Sequence, residues 1–270
     1  MKLRIAGLLA AALTTLVLAD TTIAGDPSPT LSRILKRGEM TVAMSGSQPP
    51  LNATDKSGKL IGLEVELAKI LAASMGVKVK FVKKPFAQLL PSLEKGEVDM
   101  VMSGVTITPE RNARVAFAGP YFISGKSLLT KSDKLADAED AAEVNSPEVR
   151  LAALAGSTSA QFVGDAIPKA KLTTIETYDE GVRMLKEDKI DALVADFPYC
   201  VVAALRNEKS GLDTLAEPFT YEPIGIALPA GDPLLVNAVE NFLETMRGSG
   251  ALLELKAAWF LDESWMKQLP

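Results

Sequence analysis

Two distant segments of the chain, residues 86–102 and 178–194, repeat one another in outline. Each begins with an aromatic residue, Phe86 or Tyr178, and continues through a charged stretch into an apolar run. A helix, a tight turn and a buried strand produce this pattern. Any αβ unit can give rise to it, so both a generic α/β chain and two similar lobes remain open. With two lobes, the polar residues after each strand would lie at its carboxyl end, where open α/β sheets bind ligands.

The rest of the chain also alternates between helical and strand patterns, which predicts an α/β fold. Apolar spacing predicts helices at residues 30–36 and 62–75, and strands at residues 40–44 and 77–82. The second helix ends at Gly76, a common residue just beyond a helix.

The C-terminal helices resemble first-lobe material, so we expect the chain to cross between the lobes near residues 123–129 and again near 223–228. Two crossings make a hinge. The predicted organisation is listed here: residues 1–24 are a signal peptide, 25–125 and 226–270 form lobe 1, and 126–225 form lobe 2.

The N-terminus has the three parts of a cleavable export signal. Lys2 and Arg4 precede an apolar stretch that is too short for a membrane span, and small residues follow it. We expect cleavage after Ala24. No cysteine follows the apolar stretch to accept a bacterial lipid anchor, so the mature protein is predicted to diffuse freely in the periplasm without a membrane anchor.

Composition narrows the possible chemistry. The sequence carries a net charge of −5, and loss of the signal peptide would bring it to about −6, which argues against nucleic acid or an anionic membrane as a partner. Cys200 is the single cysteine, so no internal disulfide can form. The absence of histidine excludes a His-based metal site or catalytic base. We expect no metal and no cofactor, and a monomer.

Arg111 is the first candidate ligand-binding residue. Thr108, Pro109 and Glu110 form a strong helix start, which would place Arg111 in the first turn. A guanidinium beside free backbone amides can hold a carboxylate through two charge-assisted hydrogen bonds. A solvated surface arginine on a well-capped helix explains the motif equally well.

Two further segments are candidates for binding polar groups. One lies between a predicted strand and a predicted helix and consists of Gly156, Ser157, Thr158 and Ser159. It could bind an anion through its backbone amides and hydroxyl groups, or it could be an ordinary strand-to-helix turn. Asp196 follows the second apolar run, where it could accept hydrogen bonds from an ammonium group or could cap a helix. Arg111 and Asp196 on opposite lobes would place opposite charges around one zwitterion.

An apolar wall and a polar rim are expected to flank the same cleft. Phe86 would form the wall, although an aromatic residue is as often part of a core. The loop at residues 45–51, which contains Ser45 and Gln48, would form the rim.

Four motifs together resemble the bacterial extracellular solute-binding proteins of the amino-acid type, which serve ABC importers. They are Gly62-Leu63-Glu64-Val65-Glu66-Leu67, Leu89-Leu90-Pro91-Ser92-Leu93, the segment from Gly104 to Arg111, and Phe117-Ala118-Gly119-Pro120-Tyr121. The resemblance covers nearly all of the mature chain. It implies the two-lobed type II fold of periplasmic binding proteins, with an amino acid as ligand and a membrane permease as partner.

The resemblance also implies roles for individual residues. Arg111 should hold the ligand's α-carboxylate, assisted by Thr106, by the backbone of Gly104 and by the turn at residues 157–159, while Asp196 should hold the α-ammonium. Relatives commonly place an aromatic residue where this chain has Gln48, which leaves Phe86 as the aromatic wall. Relatives that bind basic amino acids usually have an acidic group where this chain has Ser45, so a non-basic ligand is expected.

Two other functions stay open. The same fold includes a periplasmic cyclohexadienyl dehydratase, but the glutamate that follows the matching aspartate in that enzyme is replaced here by Phe197. Proton transfer needs an acid within hydrogen-bond reach, so we do not expect an enzyme. A stand-alone ligand sensor would share the whole binding site.

Overall fold

A computed structural model describes residues 26–270. The predicted signal peptide therefore lies outside the described residues. Within residues 26–270, no helix combines the length and the apolar character that crossing a membrane requires.

The first lobe is built on a five-stranded mixed sheet, with parallel pairing among its first three strands and antiparallel pairing in the rest. Its order is β5 (Lys78–Lys83), β1 (Glu39–Met44), β6 (Met100–Val101), β13 (Glu222–Leu228) and β7 (Ala116–Ser124). Strands β5, β1 and β6 are parallel, and β13 runs antiparallel to β6 and β7. A small antiparallel sheet lies beside it, formed by β2 (Ser47–Gln48), β3 (Asn52–Thr54) and β4 (Leu60–Ile61).

The second lobe repeats this arrangement. Its sheet has the order β10 (Lys171–Ile175), β9 (Arg150–Leu154), β11 (Ala192–Asp196), β8 (Lys126–Thr130) and β12 (Asp213–Thr214). Again three parallel strands are followed by antiparallel ones. Strands β6 and β11 occupy the same central place, and each comes from one copy of the sequence echo. The predicted two-lobed fold is confirmed.

Helices cover both sheets. They are α1 (Pro29–Arg37), α2 (Leu63–Ser74), α3 (Leu89–Glu94), α4 (Pro109–Asn112), α5 (Asp133–Ala136), α6 (Ala141–Val144), α7 (Thr158–Ala166), α8 (Tyr178–Lys186), α9 (Phe197–Arg206), α10 (Pro233–Gly248) and α11 (Ala251–Phe260), with 3₁₀ turns at Phe86–Gln88, Glu208–Ser210 and Ser264–Gln268. The predicted helices at residues 30–36 and 62–75 and the strands at 40–44 and 77–82 are present, with ends shifted by at most one residue.

The C-terminal helices pack on the first lobe through an apolar face. Helix α10 buries Leu235, Val239, Leu243 and Met246 at intervals of three and four residues, which places them along one face. These side chains join the core that also contains β1 and α2. The C-terminal part of the chain therefore completes the lobe that its N-terminal part begins.

The two chain crossings lie side by side. In the first, Gly125 separates the last residue of β7 from the first residue of β8. A Cβ atom at Gly125 would stand 2.1 Å from the carbonyl oxygen of Thr220 in the second crossing, so only glycine fits without a shift of the backbone. Lys126 N–H donates to Thr220 Oγ1 at 2.9 Å. The crossings thus form a paired ribbon, which suits a hinge.

Candidate ligand-binding site

The two central strands bring the predicted polar segments to the facing edges of the lobes. Ser103, Gly104 and Thr106 follow β6, while Asp196 is the last residue of β11. The lobes touch here, because Thr106 Oγ1 lies 3.2 Å from Thr158 Oγ1 of the second lobe. The segments that the sequence analysis singled out therefore border one cleft.

Arg111 sits at the first turn of α4, where Thr108 Oγ1 accepts a hydrogen bond from its backbone N–H at 3.2 Å. Its guanidinium donates to the Thr106 carbonyl at 2.9 Å and, across the cleft, to the Gly156 carbonyl at 3.3 Å. Burial lowers the pKa of Arg111, and the charge of Asp196 opposes that shift. Arg111 is therefore a partly buried cation in the field of Asp196, rather than a solvated surface arginine.

Asp196 precedes α9, yet its side chain makes no capping hydrogen bond. Its Oδ1 instead accepts a bond of 2.7 Å from Lys126 Nζ, which also lies 3.5 Å from Glu222 Oε2. The Lys126 side chain is only 1% exposed and that of Asp196 only 9%. Asp196 is thus held by a buried cation that the sequence analysis missed. A lysine in the wholly buried strand β8 was the available signal.

The hydroxyl groups in the turn between β9 and α7 make two different kinds of contact. Ser157 Oγ accepts a bond from Ala160 N–H at 3.2 Å and donates to the Leu154 carbonyl at 2.6 Å, so it serves as a helix cap. Thr158 meets Thr106 of the first lobe. Ser159 is buried. Among these three residues, Thr158 makes the hydroxyl contact with the opposite lobe.

A buried carboxylate underlies the first-lobe side of the cleft. Glu64 accepts hydrogen bonds from Gly104 N–H at 2.7 Å, from Asn52 Nδ2 at 2.6 Å and from the Tyr121 hydroxyl. Burial raises the pKa of Glu64, and these hydrogen bonds offset part of the shift. The sequence analysis noted Glu64 only as part of a family motif. Its role is to fix the turn at Gly104.

The first loop is tied to the same network. Asn52 Oδ1 accepts bonds from Gly46 N–H at 2.7 Å and from Ser45 Oγ at 3.1 Å. Gln48 is buried, and its Oε1 lies 3.2 Å from Ser103 Oγ. Ser45 and Gln48 therefore stand at the cleft, held by neutral hydrogen bonds.

Two openings flank the contact between the lobes, and Phe86 lines both. The smaller, of about 410 Å³, is also lined by Arg111, Ser157 and Thr158. The larger, of about 680 Å³, is also lined by Ser45. The other predicted site residues, which are Gln48, Gly104, Thr106, Ser159 and Asp196, line neither opening.

The sequence model of the bacterial extracellular solute-binding proteins, family 3, matches residues 40–262. This chain belongs to that family. The resemblance drawn from the four motifs is confirmed.

Several proteins of this kind are similar to the chain. A probable histidine-binding protein from Neisseria gonorrhoeae is 30% identical over 224 residues, which are 82% of this chain and 83% of that protein. The crystal structure of the ancestral amino acid-binding protein AncCDT-1, described as a precursor of cyclohexadienyl dehydratase, is 37% identical with a TM-score of 0.78, covering 86% of this chain and 99% of that one. The putative binding component of an ABC transporter from Wolinella succinogenes, solved with lysine, is 34% identical with a TM-score of 0.81 and the same coverage.

Proposed function

We propose that this protein captures an amino acid in the periplasm and delivers it to the permease of an ABC importer. The observation that carries the proposal is the pair of opposite charges at the cleft, Arg111 on the first lobe and Asp196 on the second. Each lies at the edge of its lobe that faces the other. A zwitterion would satisfy both, its carboxylate at Arg111 and its ammonium at Asp196.

Closure of the lobes would complete the site. Arg111 and Thr158 bridge the lobes at the cleft, and the paired crossings at Gly125 and Thr220 supply the hinge. A ligand that bonds both lobes binds the closed form more tightly than the open one, so its binding free energy shifts the population towards closure. The closed monomer would then present a different surface to the permease.

The first loop supports a non-basic ligand. Ser45 and Gln48 offer only neutral groups, and the carboxylate of Asp196 is already paired with Lys126. The relatives are named for ligands of several classes, among them histidine in Neisseria gonorrhoeae and glutamine in Bacillus subtilis, and the Wolinella structure holds lysine, so their names do not decide between a basic and a non-basic ligand. The residues of this chain are the more direct guide, because specificity depends on the groups that line the site.

The proposed function is ligand binding without catalysis. The position after Asp196 is Phe197, which begins α9 and offers no acid. The AncCDT-1 structure is itself described as an amino acid-binding protein. Prephenate and arogenate nevertheless belong in any ligand screen, because turnover of either would overturn the binding function.

The test is a thermal-shift and calorimetric screen of the purified mature protein, freed of carried-over ligand, against all amino acids and these two carboxylates. One or a few amino acids should raise the melting temperature. Arg111→Ala and Asp196→Asn should each weaken binding by about a hundredfold or more, because a buried charge loses its partner.

Matched controls separate a lost contact from a lost fold. Arg114→Ala removes an arginine that is 58% exposed, and Asp188→Asn removes an exposed aspartate of the second lobe. Both should bind as the wild type does. If no amino acid stabilises the wild type, or if the controls lose as much affinity as the site variants, the proposed function is wrong.

A further inference from the structure

The hinge carries a buried ion cluster that a simple pairing of Arg111 with Asp196 does not explain. Lys126 is the first residue of β8, just after the first crossing, and Glu222 is the first residue of β13, at the second. Lys126 Nζ lies 2.7 Å from Asp196 Oδ1 and 3.5 Å from Glu222 Oε2. The side chain of Glu222 is only 13% exposed. A buried lysine therefore stands between two carboxylates, one on the sheet of each lobe.

The two crossings fix the position of Glu222. The Thr220 hydroxyl accepts a hydrogen bond from Lys126 N–H at 2.9 Å and donates one to Glu222 Oε1 at 3.1 Å. One carboxylate oxygen of Glu222 thus faces Thr220 and the other faces Lys126. Asp196 differs, because only its Oδ1 has a hydrogen-bond partner among the described residues. The oxygen that can meet a ligand belongs to Asp196, and Glu222 acts from behind it.

The cluster contains two carboxylates and one ammonium. Within residues 26–270, Lys126 is the cation that pairs with Asp196 and with Glu222. Without Glu222, the lysine would balance Asp196 completely, and a ligand's ammonium would meet a pair with no net charge. With Glu222, one negative charge is left over. A further cation beside Asp196 would compensate it, and an uncompensated buried charge is costly.

The charge of Glu222 also reaches the first-lobe side of the cleft. Burial lowers the pKa of the Arg111 guanidinium, and the charges of Asp196 and Glu222 both oppose that shift. Interactions between charges persist over longer distances in a protein interior than in water. Glu222 can therefore influence a charged ligand that it does not touch, while Arg111 remains available for the ligand's carboxylate.

We propose that Glu222 is a positioning residue that makes the ligand's α-ammonium obligatory, because it offsets the charge of Lys126 and so lets Asp196 hold a second cation. This inference rests on the proposed function. It means that the site takes amino acids and rejects the acids that lack only the ammonium. A cleft with Arg111, Lys126 and Asp196 but without Glu222 would have a net positive charge and would favour a simple carboxylate.

The test measures the preference for an amino acid over the acid that lacks only its ammonium. The probes are glutamine, methionine and phenylalanine, with glutaramate, methylthiobutanoate and phenylpropanoate as their counterparts, and the same pairing for any other amino acid that the screen finds. Calorimetry gives the ratio of the two dissociation constants in each pair. The wild type should prefer the amino acid by about a hundredfold or more, and Glu222→Gln should lower this ratio by about tenfold or more.

Three further variants separate the charge of Glu222 from its shape. Glu222→Asp keeps the charge and should keep most of the ratio. Lys126→Met combined with Glu222→Gln removes the lysine together with the charge that offsets it, so the ratio should return towards the wild-type value. Glu217→Gln removes an exposed carboxylate shortly before Thr220 and should leave the ratio unchanged.

Two readouts guard against a purely structural effect. The melting temperature of each ligand-free variant shows whether the fold is kept. A uniform loss of affinity, such as a weakened hinge would cause, cancels in the ratio of the two dissociation constants.

The outcomes distinguish this inference from the proposed function. An unchanged ratio in Glu222→Gln would overturn the role of Glu222 while amino-acid binding stands. Equal wild-type affinity for the amino acids and the simple acids would overturn it too, because Lys126 would then already fill the place of the ammonium. No binding of any amino acid would overturn both proposals. A ratio that falls in Glu222→Gln, holds in Glu222→Asp and returns in the double variant would establish the role of Glu222.

Discussion

The two lobes each carry a buried carboxylate beside the end of their central strand, but they hold it in opposite ways. In the first lobe Glu64 is surrounded by neutral donors, from Gly104, Asn52 and Tyr121. In the second lobe Asp196 is paired with the ammonium of Lys126. Equivalent architecture thus supports one carboxylate that is held by neutral donors and one that is paired with a cation.

The difference follows from what each carboxylate has to do. Glu64 fixes a turn, and neutral hydrogen bonds suffice for that even though burial raises its pKa. A carboxylate that is to meet a ligand's ammonium must instead offer it a hydrogen-bond acceptor. Lys126 uses only Oδ1 of Asp196, so the other carboxylate oxygen is free for a ligand in the proposed site. Each of the following predictions tests part of this contrast.

The largest effect is expected for Lys126→Met. Its removal leaves Asp196 and Glu222 buried without their cation, which should lower the free energy of unfolding by about 3–5 kcal/mol. Chemical denaturation of the ligand-free protein measures this loss. If the buried pair contributed nothing to stability, the variant would unfold at nearly the same denaturant concentration as the wild type.

Lys131→Met is the matched control on the same lobe. Lys131 pairs with Asp188 at 2.8 Å, but the two side chains are 33% and 78% exposed. Water screens this pair, so its loss should cost less than about 1 kcal/mol. Equal losses in the two variants would mean that burial of Lys126 has been misjudged.

In the first lobe, Glu64→Ala should cost about 3 kcal/mol. Three buried donors lose their acceptor and a small cavity forms. Glu66→Ala, on the same helix, should change stability by no more than about 0.5 kcal/mol, as is usual away from buried networks. Denaturation of both variants gives the comparison, and similar values for the two would contradict the anchoring role of Glu64.

Much of the fold could be predicted from the sequence because its signals are local. The echo between residues 86–102 and 178–194 located both central strands, and Gly76 marked a helix end. The C-terminal helices were also expected in the first lobe, because they resemble first-lobe material. These features depend on periodicity along the chain, which the sequence displays directly.

The supports of the site could not be predicted in the same way. Lys126 precedes Asp196 by seventy positions, and only the antiparallel pairing of β8 with β11 brings them together. Glu64 likewise reaches Gly104 through the packing of α2 against the sheet. A sequence pattern shows which residues are charged, but long-range pairing decides which charges meet.

The pH dependence of stability should separate Glu64 from an ordinary exposed carboxylate. Its folded pKa is raised above its ordinary value of 4.5, so the native state binds more protons than the unfolded state between those two values. Wild-type stability relative to Glu64→Gln should therefore fall as the pH rises through the folded pKa, by at most about 1.4 kcal/mol per pH unit. The stability of the wild type relative to Glu64→Gln should be greatest below pH 4.5.

The contribution of Asp191 to stability should change with pH in the opposite direction, and Asp191→Asn tests this. Arg150 lowers the pKa of Asp191, so the stabilisation that Asp191 contributes is present above its ordinary pKa and is lost as the pH falls. Melting temperatures from about pH 2.5 to pH 8 for both variants and the wild type measure the two slopes, because the Asp191 contribution is lost only below its ordinary value of 3.8. Slopes of the same sign would show that one of the two environments has been misread.

The smallest effect is expected for Thr158→Val, at a contact between the lobes that involves no charged group. Thr158→Val removes the hydroxyl that lies 3.2 Å from Thr106 Oγ1 and keeps the shape of the side chain. One neutral hydrogen bond contributes about 0.5–1.5 kcal/mol, so ligand affinity should fall about three- to tenfold through a less favoured closed form. Thr173→Val, at an exposed position of β10, should leave calorimetric affinity unchanged. In the proposed cycle this contact belongs to the closed lobes, so Thr158→Val should lower ligand affinity more than it lowers the stability of the ligand-free protein. A loss of stability without a loss of affinity would instead place Thr158 within the framework of its own lobe.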